Sequence, residues 1–357
     1  MLGRANIGLF LLLLRLGIAF LPPIRQRRIL RRATSTTTQA VASTSAPPNK
    51  VQRIYETWDW RYENRTYKIN FRVEGSGPPI LLVHGFGANL NHFRFQFPAL
   101  VAAGYTVYAI DLLGFGASEK PRDARSVGFK IELFTQQMID FMVSRPQQDE
   151  PWILAGNSIG GLCSLAVAAA QGQQQLSSID IACIVLFNTS GGMTGFRYSD
   201  LPIWAHPIMG HTQYFLLGDF HGPFIFKSFV SRSNIERVLK EGGIYQDTSN
   251  VDEQLLQILL DPAGDDGATE VFLSVFGGPP GPTRESLLPN VKVPVLALWG
   301  ANDTFTPYDA AVEALPAWHG SKDFRLEVID NAGHCLHDEY PDVVNEKMIA
   351  FLKERVP

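Results

Sequence analysis

From Trp58 onward the apolar residues fall into short continuous runs: Tyr67–Val73, Ile80–His84, Thr106–Asp111, Trp152–Ala155, Ile181–Phe187, Val293–Trp299 and Phe324–Ile329. Several are rich in Val and Ile, the pattern of strands buried on both faces. Between them lie stretches with helical spacing, among them Phe134–Val143, Gly160–Ala170 and Val343–Lys353. Strand and helix in alternation predict an α/β fold, a mostly parallel sheet flanked by helices. No internal repeat is visible. The alternation stops between about Gly191 and Asn290, where Phe196, Trp204, Phe215, Phe220, Phe224, Phe226 and Phe229 crowd together and Ile235–Glu241 and Val251–Leu260 read as short helices. A run rich in glycine and proline, Gly277–Pro282, then leads into the next strand. The expected organisation is a core of residues 56–190 and 291–357, interrupted at 191–290 by a helical cap over the carboxyl ends of the strands. Phe196, Phe215 and Phe220 are expected to line a pocket beneath that cap.

The first fifty residues follow another pattern. Ile7–Leu14 is apolar, with Arg4 before it and Arg15 after it, and Leu16–Leu21 continues the run up to Pro22 and Pro23. A membrane-spanning helix needs about 20 apolar residues without a central charge, which Arg15 interrupts. The run fits a signal-peptide core cleaved after Ala19. Arg25–Pro48, rich in Arg, Ser, Thr and Ala and free of acids, has the composition of a transit peptide. In tandem the two parts resemble the two-stage presequences of algae with complex plastids, where a phenylalanine such as Phe20 follows the signal cleavage site. Residues 1–50 are therefore expected to be a disordered presequence with a plastid destination. A mitochondrial address, or a membrane anchor with a linker, is the alternative.

Composition narrows the function. The chain has 357 residues, 45% of them hydrophobic and 18% charged, which suits a sizeable core. Its net charge is −4, although residues 1–55 hold Arg and Lys and no acid, so the folded part is acidic and a nucleic-acid partner is not expected. Three cysteines, Cys163, Cys183 and Cys335, form no disulfide framework and read as buried thiols. No metal-ligand spacing appears, and no metal or cofactor is expected. Asn64, Asn188 and Asn302 stand in glycan-acceptor patterns, but a glycan beside Asp303 would block the chemistry described next.

That chemistry centres on Gly156-Asn157-Ser158-Ile159-Gly160, placed after an apolar strand and before a helix rich in small residues. A serine on such a strand–turn–helix is a nucleophile elbow: the turn pushes the hydroxyl out over the sheet edge, and the helix points its amino end at the same place. A serine hydroxyl needs a base, and the base needs an orienting acid. Asp303 follows the strand Val293–Trp299, and His334 follows the strand Phe324–Ile329, giving the order Ser, Asp, His at successive strand ends. His337 is the rival base, and Asp309 and Asp330 are rival acids. The glycine-rich His84-Gly85-Phe86-Gly87 ends an earlier strand, and the N–H groups of Phe86 and Ile159 are the expected oxyanion donors. His84 is expected at the substrate pocket.

These segments resemble the α/β-hydrolase superfamily from about Thr57 to Leu352. The resemblance rests on Leu81–Gly87, Asp111–Ser118, Gly156–Gly161 and Asn331–Cys335. Epoxide hydrolases and haloalkane dehalogenases have similar segments with an aspartate nucleophile, against which Ser158 argues. Gly277–Pro282, Gly333–Glu339 and the Gly-Asn-Ser elbow are similar to those of the plant and algal pheophytinase and chlorophyll dephytylase group. That resemblance implies a plastid serine hydrolase acting on an apolar ester, the phytyl ester of chlorophyll or pheophytin, with peripheral contact to the thylakoid membrane. A lipid or acyl esterase, a C–C bond hydrolase, a perhydrolase and a non-enzymatic ligand receptor on the same fold are the alternatives. Oligomeric state is not legible.

Overall fold

A computed structural model describes residues 55–356 apart from residues 177, 194–216, 219–220 and 321–322. The expected presequence therefore lies outside the described residues, as do Phe196, Phe215 and Phe220. Eight strands form one sheet in the order β1-β2-β4-β3-β5-β6-β7-β8. They are β1 (Tyr55–Tyr62), β2 (Arg65–Glu74), β3 (Pro79–Val83), β4 (Thr106–Ile110), β5 (Trp152–Asn157), β6 (Ile181–Phe187), β7 (Val295–Gly300) and β8 (Phe324–Ile329). β1 and β2 form an antiparallel hairpin and β2 runs antiparallel to β4; the remaining pairs are parallel.

The parallel strands are apolar on both faces because both faces are covered. Ile80, Leu82, Ile153, Ala155, Val185 and Leu296 join α1 (Gln96–Ala102) and α8 (Pro341–Arg355) in one core cluster. Their neighbours Leu81, Val83, Leu154, Ile184 and Val295 point the other way, into α2 (Ile131–Val143) and α3 (Ile159–Gly172). This period-two division is what makes each strand read as an unbroken apolar run.

β1 was not foreseen as a strand. It pairs only with β2, and its alternate residues Trp58, Trp60 and Tyr62 carry the apolar contacts while Thr57, Asp59 and Arg61 face outward. A one-sided edge strand needs only half its positions apolar.

Between β6 and β7 the described chain forms α4 (Gly222–Phe229), α5 (Arg232–Glu241), α6 (Glu253–Leu260) and α7 (Ala268–Phe276). Asp252 caps α6 by accepting from the Leu255 N–H at 2.8 Å. Leu239, Tyr245, Val251, Leu255 and Leu256 make a small core that also takes in Cys335. α7 was not expected: its Thr, Val and Phe residues favour strands, but Val271 and Val275 bury against the main core, and packing overrides propensity. No described helix is long and apolar enough to cross a membrane.

The strand order places the site. From β3 the chain moves to β4 on one side and then to β5 on the other, so the carboxyl ends of β3 and β5 flank a topological switch point, where ligands bind in open α/β sheets. The loops after β3, β5, β6, β7 and β8 all leave the same edge.

Candidate active site

Ser158 lies between β5 and α3 with φ 54° and ψ −116°, a backbone state that side chains other than glycine rarely adopt. Its surroundings show why the flanking residues are glycines. A Cβ on Gly156 would stand 2.3 Å from the Gly160 carbonyl carbon, and one on Gly160 would stand 2.1 Å from the Val83 carbonyl oxygen. The loop after β3 is also close, since a Cβ on Gly85 would approach Ser158 Cβ to 3.1 Å. Asn157 ties the elbow to its neighbours through Nδ2, which donates to the Phe187 carbonyl at 3.1 Å and the His334 carbonyl at 3.3 Å. Among the described residues Ser158 Oγ makes no hydrogen bond. Nucleophile–base contacts are often long without substrate and tighten in the Michaelis complex.

His334 and Asp303 do meet. The Nδ1–H of His334 donates to Asp303 Oδ2 at 2.8 Å, and the carboxylate is buried. Asn188 Nδ2 and the Thr306 hydroxyl donate to the same oxygen. Oδ1 accepts the N–H groups of Phe305 at 2.7 Å and Thr306 at 3.0 Å. Burial alone would raise the Asp303 pKa, but the charge of His334 beside it and the hydrogen bonds from His334 and Thr306 outweigh that and hold it at about 2. The acid is thus a carboxylate at any working pH. Its rivals, Asp309 and Asp330, are exposed on the surface. The Phe305 ring lies against the His334 ring, with centroids 5.3 Å apart.

The His334 loop is strapped to the segment after α5. The His334 N–H donates to the Ile244 carbonyl at 2.8 Å. The buried Glu339 accepts the N–H groups of Gly333 at 2.7 Å, Gln246 at 2.8 Å and Asp247 at 2.7 Å. Asp338 completes the strap, pairing with Arg94 at 2.7 Å and accepting from the Tyr245 hydroxyl at 3.0 Å. His337, the rival base, is fully buried, with its ring against those of His92 and Phe93, 4.6 and 5.2 Å away, and neither ring nitrogen finds a partner among the described residues.

Burial holds His84, His92 and His337 neutral by pushing their pKa values down, that of His92 to about 4. Between that value and the unfolded one of about 6.5, the unfolded chain binds protons that the folded chain refuses, so stability falls as pH falls. His92 alone contributes a slope of up to about 1.4 kcal/mol per pH unit across that window. Urea denaturation at pH 7 and pH 5 should show a markedly lower midpoint at pH 5. In His337→Phe, which replaces the unpaired ring by an apolar one of similar shape, that pH dependence should shrink; an unchanged dependence would remove His337 from the account.

The similarity to known proteins agrees with the fold. A family model described as the alpha/beta hydrolase fold matches residues 78–341, from β3 to the start of α8. The chain belongs to the alpha/beta hydrolase family. It is 29% identical over 289 residues to the dihydrolipoyllysine-residue acetyltransferase component of the acetoin cleaving system of Pseudomonas putida, covering 80% of this chain. The match covers 66% of that relative, so the chain spans about two thirds of its length. Epoxide hydrolase 3 of Xenopus tropicalis is 27% identical over 300 residues, covering 80% of this chain and 75% of the relative. The structure of a thermophilic esterase from Thermogutta terrifontis aligns with a TM-score of 0.60 and 20% identity, over 86% of this chain and 100% of that one, a likeness of fold.

Within this alpha/beta hydrolase the loop after β3 carries a cluster of rings. Phe86 packs against Phe115, Phe272 and Phe276, with centroids 5.5, 5.6 and 4.8 Å away, so α7 lies on the loop that bears the expected donor. Ile159 is the first residue of α3, where N–H groups lack intrahelical acceptors. His84 does not line a pocket. It is 1% exposed, and both ring nitrogens engage backbone groups of the loops after β3 and β4. Asn188 and Glu339 were not anticipated as parts of the site. The buried Asn188 side chain, which also accepts the Gly300 N–H at 3.2 Å, leaves no room for a glycan. Burial pushes the three cysteine thiols up, Cys183 to about 12, so they are poor nucleophiles. Among the described residues no group of three or more His, Cys, Asp or Glu side chains is arranged to hold a metal ion.

Proposed function

We propose that this chain is a serine carboxylic-ester hydrolase. The observation that carries the reading is a buried, ionised Asp303 bonded to His334 at the sheet edge where the strained Ser158 stands. In this mechanism His334 Nε2 takes the proton of Ser158 Oγ as the oxygen attacks the ester carbonyl. Asp303 keeps the His334 proton on Nδ1 and stabilises the imidazolium that forms. The N–H groups of Phe86 and Ile159 receive the oxyanion. The tetrahedral intermediate collapses, His334 gives its proton to the departing alcohol, and an acyl-Ser158 remains. Water attacks the acyl group by the same route, and the acid departs.

An ester is favoured over an epoxide because the elbow residue is serine, whose acyl ester water readily cleaves. The apolar rings around Phe86 support an apolar substrate. Within that class we favour the phytyl ester of a chlorophyll-type pigment and a plastid location reached through residues 1–50, on the motif resemblance and the presequence pattern. The test is to incubate the purified protein with chlorophyll a, pheophytin a, a long-chain acyl ester and an aryl epoxide, beside Ser158→Ala, and to separate the products by chromatography. Phytol with a pigment acid, absent in the variant, is the expected result. Cleavage of the acyl ester alone keeps the mechanism and moves the substrate to lipids. A diol from the epoxide with no ester cleavage would overturn the reading.

A further inference from the structure

The hydrogen bonds of His84 fix its tautomer. The Leu112 N–H can only donate, and it points at His84 Nε2 from 3.0 Å, so Nε2 carries the lone pair. The proton of the neutral ring is then on Nδ1, which donates to the Gly85 carbonyl at 2.8 Å. The Ala88 N–H reaches the same carbonyl at 3.3 Å. That carbonyl belongs to the peptide unit whose N–H is that of Phe86. No peptide bond among the described residues is cis, so this N–H points opposite to the Gly85 oxygen. Holding the oxygen therefore aims the N–H. The peptide stands beside the nucleophile, since a Cβ on Gly85 would lie 2.9 Å from Asn157 Oδ1 and 3.1 Å from Ser158 Cβ. Among the described residues the Phe86 N–H itself makes no hydrogen bond.

We propose that His84 is a positioning residue for acyl transfer: its Nδ1–H anchors the Gly85 carbonyl and thereby presents the Phe86 N–H to the oxyanion that forms above Ser158. The role rests on the ester-hydrolase reading. Buried as it is, His84 acts on the loop and never touches substrate. Its two bonds divide the labour. The bond to Leu112 ties the loop after β3 to the loop after β4, and the bond to Gly85 orients the donor.

Two substitutions separate these bonds. In His84→Asn an amide nitrogen takes the place of Nδ1 and keeps a donor for Gly85. In His84→Gln the longer side chain places an acceptor near Nε2 and keeps the Leu112 partner. If the Gly85 bond aims the donor, His84→Asn should stay within about tenfold of the wild type in kcat, and His84→Gln should lose about 10²–10³-fold, the loss typical of a missing oxyanion donor. KM should change little in both, and the affinity of an alkyl boronic acid, which forms a tetrahedral adduct on serine, should fall in parallel with kcat. A role confined to tying the two loops predicts the reverse order. Nitrogen NMR of the histidine-labelled wild type should show His84 protonated on Nδ1, and a readout that survives poor folding of either variant is thereby secured. The Nε2–H tautomer, or ester turnover with His84→Gln as active as His84→Asn, overturns this role alone. Absence of all serine-dependent ester turnover in the wild type overturns the hydrolase reading and this role together.

Discussion

Replacing Ser158 by alanine should lower kcat on a cleaved ester by about 10⁶-fold while leaving the fold intact, the loss seen when the serine of a working triad is removed. Alanine keeps the elbow backbone and takes away only the oxygen that attacks. The remaining activity is what oriented binding and oxyanion donors achieve with water as nucleophile. A companion substitution tests the strain at this position. With φ at 54° and ψ at −116°, Ser158 occupies a backbone state costing roughly 1–3 kcal/mol for a residue with a Cβ. Glycine relieves that strain but gives back part of it, about 0.5–1 kcal/mol, through the greater freedom of the unfolded chain. Ser158→Gly should therefore be inactive yet about 1 kcal/mol more stable than Ser158→Ala in urea denaturation. Equal stabilities would mean that the turn holds no strain. Stability lost in exchange for a presented nucleophile is a recurring feature of active sites.

The reach of sequence reasoning followed the physics of each element. β3 to β7 were legible because burial on both faces writes continuous apolar runs, whereas β1 alternates and faces one partner. Ser158, Asp303 and His334 could be singled out because each follows a strand end, and their chemical types are those the proposed reaction demands. Asn188 and Glu339 were not. Asn188 reads locally as the residue after a strand, and its meaning lies 115 positions away at Asp303. Glu339 sits in a helical turn with no local sign of a partner, yet it closes on backbone N–H groups 92 and 93 positions earlier. His84 was placed by its neighbourhood, the glycine-rich loop, and only the backbone around it reveals that both nitrogens face inward.

These buried polar side chains share one property: each joins segments that are distant in the chain. Asn157 links the elbow to β6 and to the His334 loop, Asn188 links β6 to the acid loop, His84 links the loops after β3 and β4, and Glu339 links the His334 loop to the segment after α5. Catalytic geometry must hold to a fraction of an ångström, and loops alone do not hold it. Buried side-chain bonds between loops supply that rigidity. They also make the site sensitive to the removal of any one partner, because an orphaned buried donor or acceptor costs about 1–3 kcal/mol.

Asp303→Asn is the sharpest case. Every group that meets the Asp303 carboxylate donates a hydrogen: His334, Asn188 and Thr306 to Oδ2, and the Phe305 and Thr306 N–H groups to Oδ1. An asparagine amide must set its NH2 against one of these sides. Turned toward the backbone, it opposes two N–H groups that cannot reverse. Turned toward His334, it forces that ring to accept at Nδ1 and to carry its proton on Nε2, the nitrogen that must be bare to take the serine proton. The second arrangement is the cheaper one, since a histidine can change tautomer and a backbone N–H cannot. The variant should therefore fold, with stability lowered by about 1–3 kcal/mol for the donors left unmatched. Its kcat should fall about 10⁴-fold with KM nearly unchanged, as expected when the base is held in the wrong tautomer. Nitrogen NMR should find His334 protonated on Nε2 in the variant and on Nδ1 in the wild type. A variant within tenfold of wild-type turnover would show that His334 needs no orienting acid at 303, and the Asp303–His334 bond would then be a structural tie between two loops.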